Sequence, residues 1–238
     1  SRKLIFNGAA MRSALAGAPA ALGRAGSLTI DLPAPDGSTM SFNVWESAIM
    51  APALAAAFPE ITTYAGQGVD DPAATIVFDV TPHGFHAQVL SPSGAWYIDP
   101  AAMGDEVVHE SFFRSDRGSP QSAFIEGTLD EVEQLEQVDK ANPVATRSGT
   151  ELRTLRTAVS ATGPYTALTG GTRALAQAAI VTAINRVSGM YVTEISTQLQ
   201  LVAGNENLVF ESKTGVGCPV VPQDTASTDK DCDPFVNG

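Results

Sequence analysis

The residues able to do chemistry in this chain are few. Three histidines (His83, His86, His109) and two cysteines (Cys218, Cys232) are its candidate soft ligands and nucleophiles. Zinc hydrolysis from a helix uses two histidines four apart with a glutamate after the first, so that both imidazoles share one face and the carboxylate activates the bound water. His109-Glu110 opens that pattern, but Ser111-Phe112-Phe113 follows and no second histidine stands at the required step. His83 and His86 lie three apart across a turn and the start of a strand, a spacing that makes their side chains diverge. The cysteines lack a CxxC or a flanking histidine, which argues against a structural zinc site. They suit a disulfide closing a small loop in an oxidising compartment, with two free thiols as the alternative. Asp229, Asp231 and Asp233 resemble the opening of a calcium loop. The glycine and closing glutamate of an EF-hand are missing, so calcium is suggested without being completed. Gly66-Gln67-Gly68 is a lone GxG, better read as a turn than as a dinucleotide site. No catalytic, cofactor-binding or metal-ligating residue is therefore assigned.

The elements that would have to position any site are clearest between Leu152 and Val202. Leu155, Thr157, Val159 and Ala161 alternate, as do Ile195, Thr197, Leu199 and Leu201, and alternation is the strand signal. Between them Ala176, Ile180, Ile184, Val187 and Tyr191 fall at helical steps on one face. Thr172 suits an N-cap, and Gly189 should weaken or end the helix. Strand, helix, strand predicts a βαβ unit with parallel strands and helices on one side only. Such a unit alone should leave one sheet edge open to pairing.

Upstream, Leu28, Ile30 and Leu32 alternate, Pro33 to Gly37 turn, and Met40, Phe42 and Val44 alternate again, which predicts a hairpin. A short helix from Pro52 to Ala57 follows, with Pro52 tolerated in its first turn. Strands are predicted over Thr75–Val80, Gly84–Leu90 and Ala95–Ile98, with Ile76, Phe78 and Val80 on one core face. The expected fold class is an α+β domain (hairpin, short helix, antiparallel meander; residues 1–114), an acidic linker (115–150) and an α/β βαβ unit (151–238).

The runs Arg153-Thr154-Leu155-Arg156-Thr157-Ala158-Val159, Tyr165-Thr166-Ala167 and Ile184-Asn185-Arg186-Val187-Ser188-Gly189-Met190-Tyr191 resemble the start of the catalytic domain of bacterial reprolysin-like zinc metallopeptidases of the metzincin group. Asp233-Pro234-Phe235 with Asn237-Gly238 is similar to the segment after that domain's second strand. Leu32 to Gly37, Met50-Ala51-Pro52, Tyr64 to Gly68, Gly84-Phe85-His86-Ala87 and Tyr97-Ile98-Asp99-Pro100 resemble the propeptide before it. The resemblance implies a secreted zymogen: a propeptide, then the first part of a truncated catalytic domain. It also implies zinc in the full-length enzyme, a protein or peptide substrate, and an HExxHxxGxxH motif beyond residue 238. This chain alone is expected to bind no zinc and to be inactive. No cysteine precedes Cys218, so a cysteine switch from the propeptide is excluded. The alternative is a non-catalytic binding or folding module related to such propeptides.

Composition sets outer bounds. A formal charge of −12 disfavours nucleic acid as a partner, since the phosphates would be repelled. No apolar run reaches the roughly 20 residues that span a bilayer, and no secretory signal is visible in the sequence as it stands. Aromatics are only 7% of the chain and form no evident exposed cluster, which disfavours a carbohydrate-binding β module.

Overall fold

The computed structural model describes residues 1–20, 28–117 and 151–211. Its main element is one curled eight-stranded antiparallel sheet. The strands are β1 (Arg2–Ile5), β2 (Leu28–Pro33), β3 (Thr39–Glu46), β4 (Thr62–Gly68), β5 (Thr75–Thr81), β6 (Gly84–Leu90), β7 (Trp96–Pro100) and β8 (Val108–Phe113). β2 to β8 run as a meander in chain order, and β1 returns to close on β8. This overturns the expected fold class. Strands dominate: the hairpin and meander expected within an α+β domain belong to a single sheet, and the short helix packs with later residues instead.

Several elements stand where the pattern places them, and three strands do not. β1, β4 and β8 have no clear signal in the sequence. β4 carries the Gly66-Gln67-Gly68 run that reads as a turn. The glycines are there because the sheet leaves no room: a Cβ on Gly66 would sit 2.8 Å from both Asn43 O and Val44 Cγ1. At the β2–β3 turn, Gly37 takes φ +95° and the Asp36 carboxylate accepts from Ser38 N (2.9 Å), the Asx-type turn that an Asp-Gly pair favours.

One face of the sheet is mainly apolar, with His109 and Ser111 of β8 also buried on it. Register pairs Ile76 with Val89, Phe78 with Ala87 and Val80 with Phe85, then Ala87 with Ile98 and Val89 with Trp96. All of these side chains join one buried cluster with Phe42, Val44 and Leu32. Helix α1 (Gly8–Leu15), capped by Asn7 Oδ1 on Ala10 N (3.0 Å), buries Leu15 in the same cluster. Burying a side chain of this size contributes about 1.5–3 kcal/mol, so this face specifies the fold.

The opposite face carries the later residues. Helix α2 (Pro52–Ala57) lies between β3 and β4 in the chain. After β9 (Arg153–Thr157) come a short helix α3 (Gly163–Leu168), a long helix α4 (Arg173–Ile195) and β10 (Thr197–Leu201). β9 and β10 pair in parallel, Leu155 opposite Leu199. The ribbon has only these two strands and is not an independent covered sheet. Leu155 is exposed, and Ile195, expected in the second strand, ends the helix and is also exposed. Thr172 does cap α4, accepting from Leu175 N (3.3 Å). Gly189 does not end it. A Cβ there would lie 2.7 Å from Val77 Cγ1, so glycine lets the helix approach β5. Nor is the edge of β10 open. Leu201 N donates to Ile49 O (2.7 Å), and Ala51 N donates to Leu201 O (2.8 Å). The linker from residue 118 onward, the cysteine pair, the aspartate run and Asp233-Pro234-Phe235 all lie outside the described residues. Among the described residues, no helix is long and apolar enough to cross a membrane.

Candidate functional site

Between the outer face of the sheet and α4 lies a buried polar seam, built around Asp79 on β5. Alternation turns Phe78 and Val80 into the core, so Asp79 faces the helix; it is 1% exposed. Its Oδ1 accepts from Thr182 Oγ1 (2.9 Å) and from His86 Nδ1 (3.1 Å). Asn185, one turn along, donates from Nδ2 to Phe78 O (3.0 Å) and to Asp79 Oδ2 (3.5 Å). A buried carboxylate is stable only when its lone pairs meet donors, and α4 supplies two of the residues that do so. Further out, Arg186 pairs with Asp99 on β7 and lies 5.4 Å over the Tyr97 ring. At the other end of the seam, His83 Nε2 donates to Leu175 O (2.9 Å); a carbonyl only accepts, which fixes that proton on Nε2.

The three histidines are thus in three different environments. His83 sits in the β5–β6 turn against the start of α4, and His86 on β6 against Asp79. His109 lies on β8 at the inner side, its ring tilted against that of Phe6 with centroids 4.8 Å apart. His109 Nε2 accepts from Phe85 N (3.1 Å), so the ring is neutral there. Burial pushes its pKa below the ordinary histidine value. With the three rings committed to these contacts, they do not fit a zinc ion. Among the described residues, no group of three or more His, Cys, Asp or Glu could hold a metal.

Beside the seam the sheet and helix part to form a cleft of about 680 Å³. Trp45, Val77 and Leu90 line it from the sheet and Val192 from the helix; Asn185 and Gln88 also line it. Sequence reasoning does not reach Gln88. Its only signal is its place on the polar parity of β6, between His86 and Leu90.

A second apolar cluster lies past the seam, where α4 meets β10. Ile49, Met50, Leu54 and Ile61 pack there with Ala176, Ile180, Val181, Leu201 and Val209. Leu54 comes from α2. The expected helix face holds for Ala176, Ile180 and Ile184, but Tyr191 is exposed. No family model, curated protein or solved structure matches the chain.

Proposed function

We propose that the chain is the latent precursor portion of a secreted zinc endopeptidase, its sheet region acting as propeptide and folding template for the residues from Arg153 onward. The observation that carries this reading is the completion of the later unit by earlier residues. Ala48 to Ala51 pair along β10, Gln200 Nε2 donating to Ala48 O (3.1 Å), and Ile49, Met50, Leu54 and Ile61 fill its core. A two-strand ribbon with one long and one short helix cannot bury its own faces. The polar character of the seam supports the same reading, because interfaces within a chain that must come apart are more polar than cores. The resemblance of Arg153–Val159 and Ile184–Tyr191 to reprolysin-like zinc metallopeptidases is what points the proposal to a peptidase. The described histidines do not fit zinc, so the ligands are proposed to be encoded beyond Gly238, and no catalytic step is derived from the residues present.

The test is a comparison of two proteins. The 238-residue chain should cleave no peptide and hold no stoichiometric zinc. A product extended through the downstream coding sequence should hydrolyse peptides in a chelator-sensitive way after a cut within residues 118–150. Chelator-sensitive cleavage by the short chain would contradict the reading, as would an extended product that lacks a zinc motif. A second reading, a non-catalytic binding module, is favoured by the cleft beside α4 and needs no downstream chemistry.

A further inference from the structure

We propose that the cleft between the outer face of the sheet and α4 is a binding site for a small organic amine with an apolar body. This inference stands apart from the peptidase reading and survives its failure.

Hydrogen-bond accounting points to the ligand's chemistry. Asn185 is fully buried, and its Nδ2 is held by Phe78 O and Asp79 Oδ2. Both of those atoms only accept, so the amide has one orientation. Its Oδ1 is left as a buried acceptor with no donor. Gln88, 3% exposed on β6, likewise has a buried Oε1 with no donor. Both residues line the same cleft. Two buried carbonyl oxygens without partners are costly in a native fold, and each calls for a donor from outside the protein framework.

Charge and shape narrow the class. Glu46 and Glu151 are exposed on the cleft's boundary, and among the described residues that line it there is no Lys, Arg or His. That arrangement favours a cation over an anion. The remaining wall is Trp45, Val77, Leu90 and Val192, which suits an apolar or aromatic body. The volume lies within the range for small-molecule sites, roughly 300–1,000 Å³. A protonated amine with an aromatic group meets all three demands: donors for the two oxygens, charge for the rim and surface for the wall.

Phenethylamine serves as the probe, with 3-phenylpropionate as the matched anion and ethylbenzene as the uncharged control. Titration of the intact chain is followed by calorimetry and by amide shifts at Gln88 and Asn185. The expected result is saturable binding of phenethylamine, with 3-phenylpropionate and ethylbenzene at least about tenfold weaker, the order of a lost charge-assisted hydrogen bond. Gln88→Leu should weaken the amine by about tenfold and Glu46→Gln by a few-fold. Asn185→Ala should abolish binding, but that variant also loses the bonds to Phe78 and Asp79. Gln88→Leu and Glu46→Gln, which leave the seam intact, are therefore the deciding variants. No saturable binding up to millimolar phenethylamine would overturn the proposal. So would equal binding of the acid, or full retention of affinity in both variants.

Discussion

The two faces of the curled sheet are held by different chemistry, although the same strands supply both. Inward, Ile76, Phe78 and Val80 meet Phe85, Ala87 and Val89 in a continuous apolar layer. Outward, the intervening residues Val77 and Asp79, the latter bonded to His86 on β6, meet α4 through a carboxylate, an amide, a hydroxyl and one close glycine contact. Apolar packing is non-directional and tolerates substitution as long as volume is kept. A buried polar seam works only if each partner is in place. The inner face thus fixes which strands pair, and the outer face fixes where α4 sits. The first is a condition for folding at all, and the second a latch between earlier and later residues.

Substitutions that strike one face and spare the other test that division. The largest effect belongs to the inner face. Phe78→Ala should cost about 3–5 kcal/mol and lower the stability of both regions together, read as one shifted transition in chemical denaturation. Two separate transitions would break the claim that the inner face underlies the whole fold.

Asp79→Ala attacks the latch. It removes the acceptor of Thr182 and His86 and one acceptor of Asn185. The expected loss is about 2–3 kcal/mol, concentrated in α4, while far-UV signals from the sheet persist. Equal loss of protection on β5 and α4 would merge the two faces into one.

Gly189→Ala sharpens the comparison at a single contact. In an exposed helix this exchange stabilises by about 1 kcal/mol. Here the added methyl meets the stiff, β-branched Val77, so a net loss of about 1 kcal/mol is expected. In a Val77→Ala background the sign should reverse, and a double-mutant cycle by urea denaturation measures it. An unchanged sign would remove Val77 as the cause.

The smallest effect is acid sensitivity from the inner side. His109 binds its proton less readily folded than unfolded. The unfolded chain therefore takes up more protons as pH falls through about 6.5, and stability declines below that value. The slope is at most about 1.4 kcal/mol per pH unit. A His109→Gln variant should lose this part of the slope between pH 7.5 and 5, and an unchanged slope would assign the sensitivity to other groups.

How much of this is legible in the sequence follows from where each signal lives. Period-two alternation places β2, β3, β5 and β6 and the core parity of Ile76, Phe78 and Val80, because both are local. Thr172 and Pro52 mark helix starts for the same reason. β1 is not legible, because four residues at the chain start become a strand only by pairing with β8, over 100 residues away. Gly66 and Gly189 mislead for one reason. Glycine signals a turn or a helix end locally, whereas here each glycine answers a neighbour distant in sequence: Val44 in one case, Val77 in the other. The expected separate βαβ domain fails on the same ground. Parallel β9 and β10 are readable, but β9 stays exposed and the outer edge of β10 is covered by Ile49 and Ala51. The seam is half visible: the spacing of His83 and His86 shows that they diverge, while nothing local signals that Asp79 and Asn185 meet.

The central claim is that α4 and β10 are latched to the sheet by a seam weaker than the sheet's own core. Native-state hydrogen exchange at increasing sub-denaturing urea tests it most directly. Opening of the α4 amides from Ala176 to Ser188, together with β10, is predicted at a lower free energy than that of β5 and β6, as a separate cooperative unit. A single opening free energy shared by α4, β10, β5 and β6 would contradict it.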